Sequence, residues 1–90
     1  MIKRTFSFEK GYLPKSVEEQ YLNNLTLFVS EEEHFSWIMA TTDFYGYGVY
    51  PVNALFDLFC SICYHEGVAY GNINKSNLEK DLDNALNKEN

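Results

Sequence analysis

Positive charge is missing from most of this chain. Residues 16–74 contain no Lys or Arg but eight acidic side chains, whereas residues 1–15 carry four basic side chains against one Glu. Soluble surfaces usually mix both signs. Because nucleic-acid binding needs clustered Lys and Arg, the composition argues against direct binding to DNA or RNA. It favours a partner protein with a basic surface.

Cysteines and long apolar runs are also scarce. The two cysteines, Cys60 and Cys63, are three residues apart, which places them poorly for a disulfide within one helix. The longest apolar run is too short to span a bilayer. The basic residues at the N-terminus are not followed by the apolar region of a signal peptide. These features predict a soluble, cytoplasmic protein with reduced thiols and no membrane association.

The length and composition fit one small domain. Ninety residues, of which 46% are hydrophobic and 17% aromatic, supply enough apolar surface for a modest core and argue against disorder. The sequence contains no internal repeat and no linker. We therefore predict a single domain over residues 1–90, with the last few residues frayed.

Residues 51–67, PVNALFDLFCSICYHEG, predict a central helix. Pro51 suits the first helical position, and Gly67 suits the position just past the end. The polar residues recur every fourth position and form one narrow stripe, namely Asn53, Asp57, Ser61 and His65. Apolar side chains occupy the remaining positions, so we predict a helix that is buried on most sides.

The N-terminal part of the chain predicts two strands and a helix. Residues 2–8 alternate weakly and residues 25–29 are rich in strand-forming side chains, so both are predicted strands. Between them, Ser16 and Glu19 form a capping-box pattern that predicts a helix of about two turns.

Residues 30–50 admit two interpretations. Ser30 and Glu33 form a second capping-box pattern, which favours a helix through Met39. The rival interpretation is a tight acidic turn followed by a strand over residues 35–42, which side-chain propensity favours. We prefer the helix. Residues 41–50, TTDFYGYGVY, fit either a strand with a glycine kink or an aromatic loop.

A last helix is predicted after Asn74 or Ser76, either of which can cap its first turn. Together the elements predict an α+β fold. In this fold the central helix, at about residues 51–66, is packed by a short antiparallel sheet and two or three further helices.

The CxxC sequence offers a weak metal site. Cys60, Cys63 and His65, with His34 elsewhere, would complete a four-ligand zinc set. The usual second ligand pair at short spacing is absent, and the CxxC lies in the most apolar segment. We therefore predict no metal and no cofactor, and interpret the thiols as small core residues.

No catalytic residue is predicted. Asp57, Ser61 and His65 share one helical stripe, but that spacing aligns them along the helix axis and does not bring them to one point. We interpret the stripe as the solvated side of the helix, and the protein as a non-enzyme.

An aromatic patch is the stronger functional signal. Its members are Phe44, Tyr45, Tyr47, Tyr50 and Tyr70. Tyrosine is enriched at binding hot spots because it offers a large area and a hydrogen bond at low entropic cost. The competing interpretation is that these rings cover the core of a small domain.

The sequence favours a small acidic inhibitor that occupies a basic, nucleic-acid-handling surface of a larger protein by mimicking phosphates. Antirestriction, anti-CRISPR and immunity proteins share this general composition, but no residue motif links them to this chain. The predicted partner-binding residues are Glu18, Glu19, Glu31, Glu32, Glu33, Asp43, Tyr45, Tyr47 and Tyr50. Two alternatives stay open: a self-assembling structural subunit or homodimer that uses the aromatic patch, and a metal-binding regulator that uses the CxxC.

Overall fold

A computed structural model describes residues 3–30, 37–69 and 71–88 of the chain. In the described part, four strands and three helices follow one another as β1 (Lys3–Phe6), α1 (Lys15–Tyr21), β2 (Leu25–Val29), β3 (Trp37–Ala40), β4 (Tyr45–Gly48), α2 (Pro51–Glu66) and α3 (Lys75–Lys88). The strands form one antiparallel sheet in the order β1-β2-β3-β4. The predicted α+β class is thus confirmed.

The helix preferred for residues 30–39 is wrong where the structure describes it. Trp37–Ala40 is strand β3, which pairs with both β2 and β4. A capping box is a local signal, and it cannot outweigh strand-forming side chains that find two partner strands. Residues 31–36, which include the predicted capping residue Glu33, lie outside the described residues.

Helix α2 confirms the prediction for the centre of the chain. Pro51 occupies the first turn, and the helix ends at Gly67, whose N–H donates to the carbonyl of Cys63. The left-handed backbone of Gly67 (φ 68°) lets the next N–H, that of Val68, donate to the same carbonyl at 3.1 Å. The solvent-facing side is wider than predicted, because Phe56 and Cys60 are only half-buried and Tyr64 is 92% exposed. The sheet covers one side of α2 and α3 covers part of another, so a third side is left to solvent.

The N-terminal cap agrees with the sequence prediction in α3 and differs from it in α1. Helix α1 begins one residue before Ser16 and has no side-chain cap, because Ser16 already lies inside the first turn. Helix α3 is capped by Asn74, whose side-chain oxygen accepts the N–H of Asn77 at 3.1 Å. Asn74, one of the two predicted alternatives, is therefore the cap.

The core lies between the helices and one face of the sheet. Buried side chains of all three helices join Phe6, Leu25, Leu27 and Met39 of the sheet in one cluster. The described helices therefore lie on the same face, which we call the inner face. Within the described residues, none of these helices has the length and apolar character needed to cross a membrane.

Candidate binding face

The opposite face of the sheet, here called the outer face, is built by the strand register. Side chains alternate between the faces of a strand, so the partners of outward residues also point outward. Two rows cross the sheet, Lys3–Phe28–Ile38–Tyr47 and Thr5–Thr26–Ala40–Tyr45. Ile38 and Ala40 are buried, at 7% and 8% exposed, but do not belong to the main core cluster. A shallow depression of about 330 Å³ is lined by Lys3, Thr26, Phe28, Ala40 and Tyr45.

The tyrosines of strand β4 lie on the outer face because the glycines of this strand must face helix α2. A Cβ at Gly46 would lie 2.1 Å from the carbonyl oxygen of Ala54, and one at Gly48 would lie 2.6 Å from the backbone nitrogen of the same residue. Only glycine allows this approach of strand and helix. The alternation then fixes Tyr45 and Tyr47 on the outer face.

Exposed aromatic surface is concentrated at β4 and the connection to α2. Among the described residues, five large hydrophobic side chains are exposed, and four of them fall in residues 45–50: Tyr45 at 53%, Tyr47 at 42%, Val49 at 53% and Tyr50 at 64%. The fifth is Tyr64 on α2. We call Tyr45, Tyr47, Val49 and Tyr50 the tyrosine patch. Within this group the rings of Tyr45 and Tyr47 are neighbours, with centroids 6.5 Å apart. Exposed apolar side chains that cluster mark an interaction site more often than scattered single residues do.

The turn between β3 and β4 carries Asp43 and is held by the side chain of Thr41. The hydroxyl oxygen of Thr41 accepts the backbone N–H groups of Asp43 and Phe44 at 3.2 and 2.9 Å, and the Thr41 N–H donates to the Phe44 carbonyl at 2.9 Å. These bonds order the turn. The Asp43 side chain is exposed, two residues before Tyr45.

Asp57 has a structural role at the edge of the sheet. Strand β4 is an edge strand, and the Asp57 carboxylate on α2 accepts the backbone N–H of Tyr47 at 3.0 Å. Unpaired edge N–H groups are templates for strand addition, so this bond makes strand pairing at the edge less favourable.

Glu18 is not a surface charge, in contrast to its predicted place in a binding site. The side chain is 4% exposed, and its two oxygens accept the N–H groups of Gly11 at 2.8 Å and Leu13 at 3.0 Å. A carboxylate that is buried and fully hydrogen-bonded stabilises the loop before α1 and is not available to a partner.

Of the other predicted glutamates, the structure describes only Glu19, which lies on α1 away from the tyrosine patch. Glu19 is exposed, lies 4.0 Å from Lys15, and lines a depression with Glu9 and the residues before α1. Glu31, Glu32 and Glu33 fall outside the described residues, as does Tyr70 of the predicted aromatic patch. Of the predicted acidic residues, Asp43 is exposed and two residues before Tyr45 in sequence, and it lines a cleft with Gln20, Tyr21, Asn23 and Asn24 at the end of α1.

A second aromatic cluster links α1, the β3–β4 turn and the end of α2. Tyr21 donates to the Glu66 carboxylate at 2.7 Å, and its ring meets Phe44 edge-on at 5.5 Å between centroids. Phe44 also lies 5.1 Å from the His65 ring, and His65 is 3.8 Å from Glu66. The hydrogen bond to Glu66, together with burial, raises the pKa of Tyr21. Phe44 thus packs inward and is not part of the tyrosine patch.

The metal candidates do not converge in the structure. Cys63 is buried and burial raises the pKa of its thiol, whereas Cys60 is half-buried and His65 turns towards Phe44. In residues 3–30, 37–69 and 71–88, no group of three or more His, Cys, Asp or Glu side chains could hold a metal ion. His34 lies outside these ranges.

Sequence reasoning missed Phe28, Ile38 and Val49 as neighbours of the tyrosines. Val49 could have been found from its position between two predicted anchors. Phe28 and Ile38 join Tyr47 only through the register of three strands, which one sequence does not specify.

Comparison of the chain with models of protein families, with curated proteins and with solved structures gives no significant match. Its function is therefore inferred from its own geometry.

Proposed function

We propose that this protein is a small, non-enzymatic binding module that docks its tyrosine patch and Asp43 on a basic surface of a larger protein and blocks that surface. The observation that carries the proposal is the concentration of exposed aromatic surface in residues 45–50. Tyrosines of this kind anchor protein interfaces, and the surrounding contacts exclude water.

Charge supports a basic partner. The tyrosine patch lies within residues 16–74, which carry eight acidic side chains and no Lys or Arg. Complementary potentials accelerate association and reject partners of like charge. The same charge opposes close approach of a second copy through this segment, so it favours a different protein over a homodimer.

The size of the outer face supports a concave partner. The sheet is four strands wide and its strands are four or five residues long. Strand spacing and rise give roughly 250–300 Å² of flat surface, whereas a stable interface buries about 800 Å² on each side. A contact between two such flat sheet faces would bury less than this area. A cleft that also encloses the β3–β4 turn and the start of α2 would reach it, and clefts lined by basic residues are typical of nucleic-acid-handling proteins.

The proposal is tested by affinity capture from the lysate of the host cell at low and high salt. The baits are the wild type, a triple Tyr45→Ser/Tyr47→Ser/Tyr50→Ser variant and a Tyr64→Ser control. The control removes a tyrosine that is more exposed still, at 92%, from the C-terminal half of α2. We expect one basic partner that the wild type and the control retain, that the triple variant loses, and that high salt releases.

Two results would overturn the proposal. One is a partner that the triple variant retains as well as the wild type does. The other is a wild-type protein that recovers only itself, with a solution mass above that of the monomer, which would establish the self-assembling alternative.

A further inference from the structure

A small polar cleft lies between the end of α1 and the β3–β4 turn. Its volume is about 100 Å³, less than a third of that of the depression on the outer face. Each side chain in its lining carries an oxygen atom that can accept a hydrogen bond. The lining residues are Gln20, Tyr21, Asn23, Asn24, Thr41, Thr42 and Asp43. A concave site of this composition suits a small polar ligand that is held by hydrogen bonds.

Hydrogen bonds within the protein order both walls of the cleft. On the α1 side, the amide nitrogen of Gln20 donates to the Tyr21 hydroxyl at 3.2 Å, and this hydroxyl donates to the Glu66 carboxylate at 2.7 Å. The carbonyl oxygen of the Gln20 amide is left as an acceptor. On the other side, the Thr41 hydroxyl accepts the backbone N–H of Asp43 at 3.2 Å. Because these bonds exist without a ligand, binding has less ordering to do.

The charge of the cleft favours a cation. Among the described residues that line it, Asp43 alone is charged, and its side chain is exposed. Residues 16–74, which include the whole lining, contain no Lys or Arg. The bond to Glu66, burial and the charges of Glu66 and Asp43 all raise the pKa of Tyr21, so the negative charge of both carboxylates is felt at its hydroxyl. An anion would be repelled here.

The shape of the cleft favours an ammonium over a guanidinium. An ammonium is a compact charge with three donors and no acceptor, so it can bond to the Asp43 carboxylate and to neighbouring oxygen atoms at once. A guanidinium is a planar fork that gains most from stacking on an open aromatic face. The ring in this lining, that of Tyr21, is only 8% exposed and offers little such face.

We propose that this cleft, with Asp43 as its charged group, receives the ammonium of one lysine side chain of the partner protein. The inference rests on the proposed function, because it names the chemical group of the basic partner that Asp43 recognises. Asp43 is two residues before Tyr45, so their Cα atoms lie within about 7 Å of each other. A partner that covers the tyrosine patch can therefore also reach Asp43.

The experiment titrates the full-length protein with small probes and follows NMR shifts of the side-chain amides of Gln20, Asn23 and Asn24. The first probe is Nα-acetyl-lysine amide. The second is Nα-acetyl-arginine amide, which has the same charge, and the third is Nα-acetyl-norleucine amide, which keeps the lysine stem without the ammonium. Calcium chloride is the fourth probe and tests for a metal ion.

Two variants separate the cleft from general attraction to an acidic protein. Asp43→Asn removes the charge, while the bond from the backbone of residue 43 to Thr41 is kept. Asp83→Asn removes an exposed carboxylate from α3 and is the matched control. Unchanged shifts away from the β3–β4 turn verify that Asp43→Asn is folded.

We expect the lysine probe to shift the cleft resonances and to bind more tightly than the arginine and norleucine probes. Asp43→Asn should weaken its binding about two- to fivefold, as for an exposed ion pair, and Asp83→Asn should leave it unchanged. Equal binding of the lysine and norleucine probes, or unchanged lysine binding in Asp43→Asn, would overturn the proposal. Arginine binding as tight as that of lysine would contradict the selection of an ammonium. Tighter binding of calcium at the same resonances would replace the proposal by a metal site.

The cleft and the proposed function can fail separately. If the lysine probe does not bind while capture of the partner still depends on the tyrosine patch, the lysine cleft is wrong and the binding module stands. If the triple tyrosine variant retains the partner, the proposed function is wrong whatever the probes show.

Discussion

The carboxylate of Asp57 on α2 accepts the backbone N–H of Tyr47 on the edge strand β4, at 3.0 Å. This bond joins the central helix to the strand that carries the tyrosine patch. It occupies an edge donor that would otherwise be open to strand pairing, and it helps hold Tyr47 in place on the outer face.

Asp57→Ala should therefore lower stability and promote self-association. Loss of one hydrogen bond to a charged, solvent-exposed acceptor is expected to cost about 1 kcal/mol of unfolding free energy. The freed edge should also raise the apparent mass in sedimentation as concentration increases. Asp83→Ala, which removes an exposed carboxylate from α3, is the control. Equal denaturation midpoints and equal masses for the two variants would contradict the role assigned to Asp57.

The two adjacent glutamates of α1 should respond very differently to loss of charge. Glu18→Gln replaces one buried acceptor oxygen by an NH₂ group that faces a backbone donor, and should cost about 1–3 kcal/mol. Glu19→Gln removes an exposed pair with Lys15 and should cost about 0.5 kcal/mol or less. Urea unfolding, followed by Trp fluorescence, measures both. A Glu18→Gln variant as stable as Glu19→Gln would show that the buried carboxylate does not hold the loop.

Substitution of the glycines should separate close packing from backbone strain. Gly46→Ala places a Cβ 2.1 Å from a backbone oxygen of α2, so strand and helix must move apart, at a cost of about 3 kcal/mol or more. Gly67→Ala meets no atom within 4 Å but keeps a left-handed backbone (φ 68°), which costs about 1 kcal/mol. Thermal unfolding ranks the two variants. A smaller loss of stability for Gly46→Ala than for Gly67→Ala would contradict the close contact between β4 and α2.

Stability at high pH should depend on Tyr12. Burial, with a hydrogen bond to Asp81, raises the pKa of Tyr12 from 10.0 to about 12. The folded state therefore favours the neutral phenol, and this contribution is fully present below pH 10.0 and is lost as the pH rises towards about 12. The wild type should be more stable than Tyr12→Phe at neutral pH, and the difference should shrink over this range.

Denaturant midpoints of the two proteins, measured across that range, check this dependence. Comparison with Tyr12→Phe cancels the titration of the other tyrosines, which both proteins share. A stability difference that is constant with pH would mean that Tyr12 ionises equally well in the folded and unfolded chains.

The sequence predicted those elements whose signals are local. Pro51 and Gly67 delimit α2 because their preferences depend on their own backbone angles. Strand β2 was predicted at its observed bounds, since its side chains favour a strand in any context. Strand β3 was assigned wrongly, because the local capping pattern at Ser30 carries no information about the two strands that pair with residues 37–40.

The candidate site was predictable only in part for the same reason. The tyrosines were identified by composition, and they are exposed. Glu18 was assigned to the surface because α1 alone does not reveal that the loop at Gly11 and Leu13 folds over it. Tyr64 was assigned to the buried side of α2, but neither the sheet nor α3 covers it, and it is 92% exposed. Each of these depends on tertiary packing, which the helical period does not encode.

The central claim is that the tyrosine patch binds a basic partner, and the dissociation constant of the purified partner tests it most directly. It should be measured at low and high salt for the wild type, for the folded triple Tyr45→Ser/Tyr47→Ser/Tyr50→Ser variant, and for the Tyr64→Ser control. We predict that the triple variant binds at least about tenfold more weakly, that the control binds as the wild type does, and that added salt weakens wild-type binding. Equal dissociation constants for the wild type and the triple variant would contradict the claim.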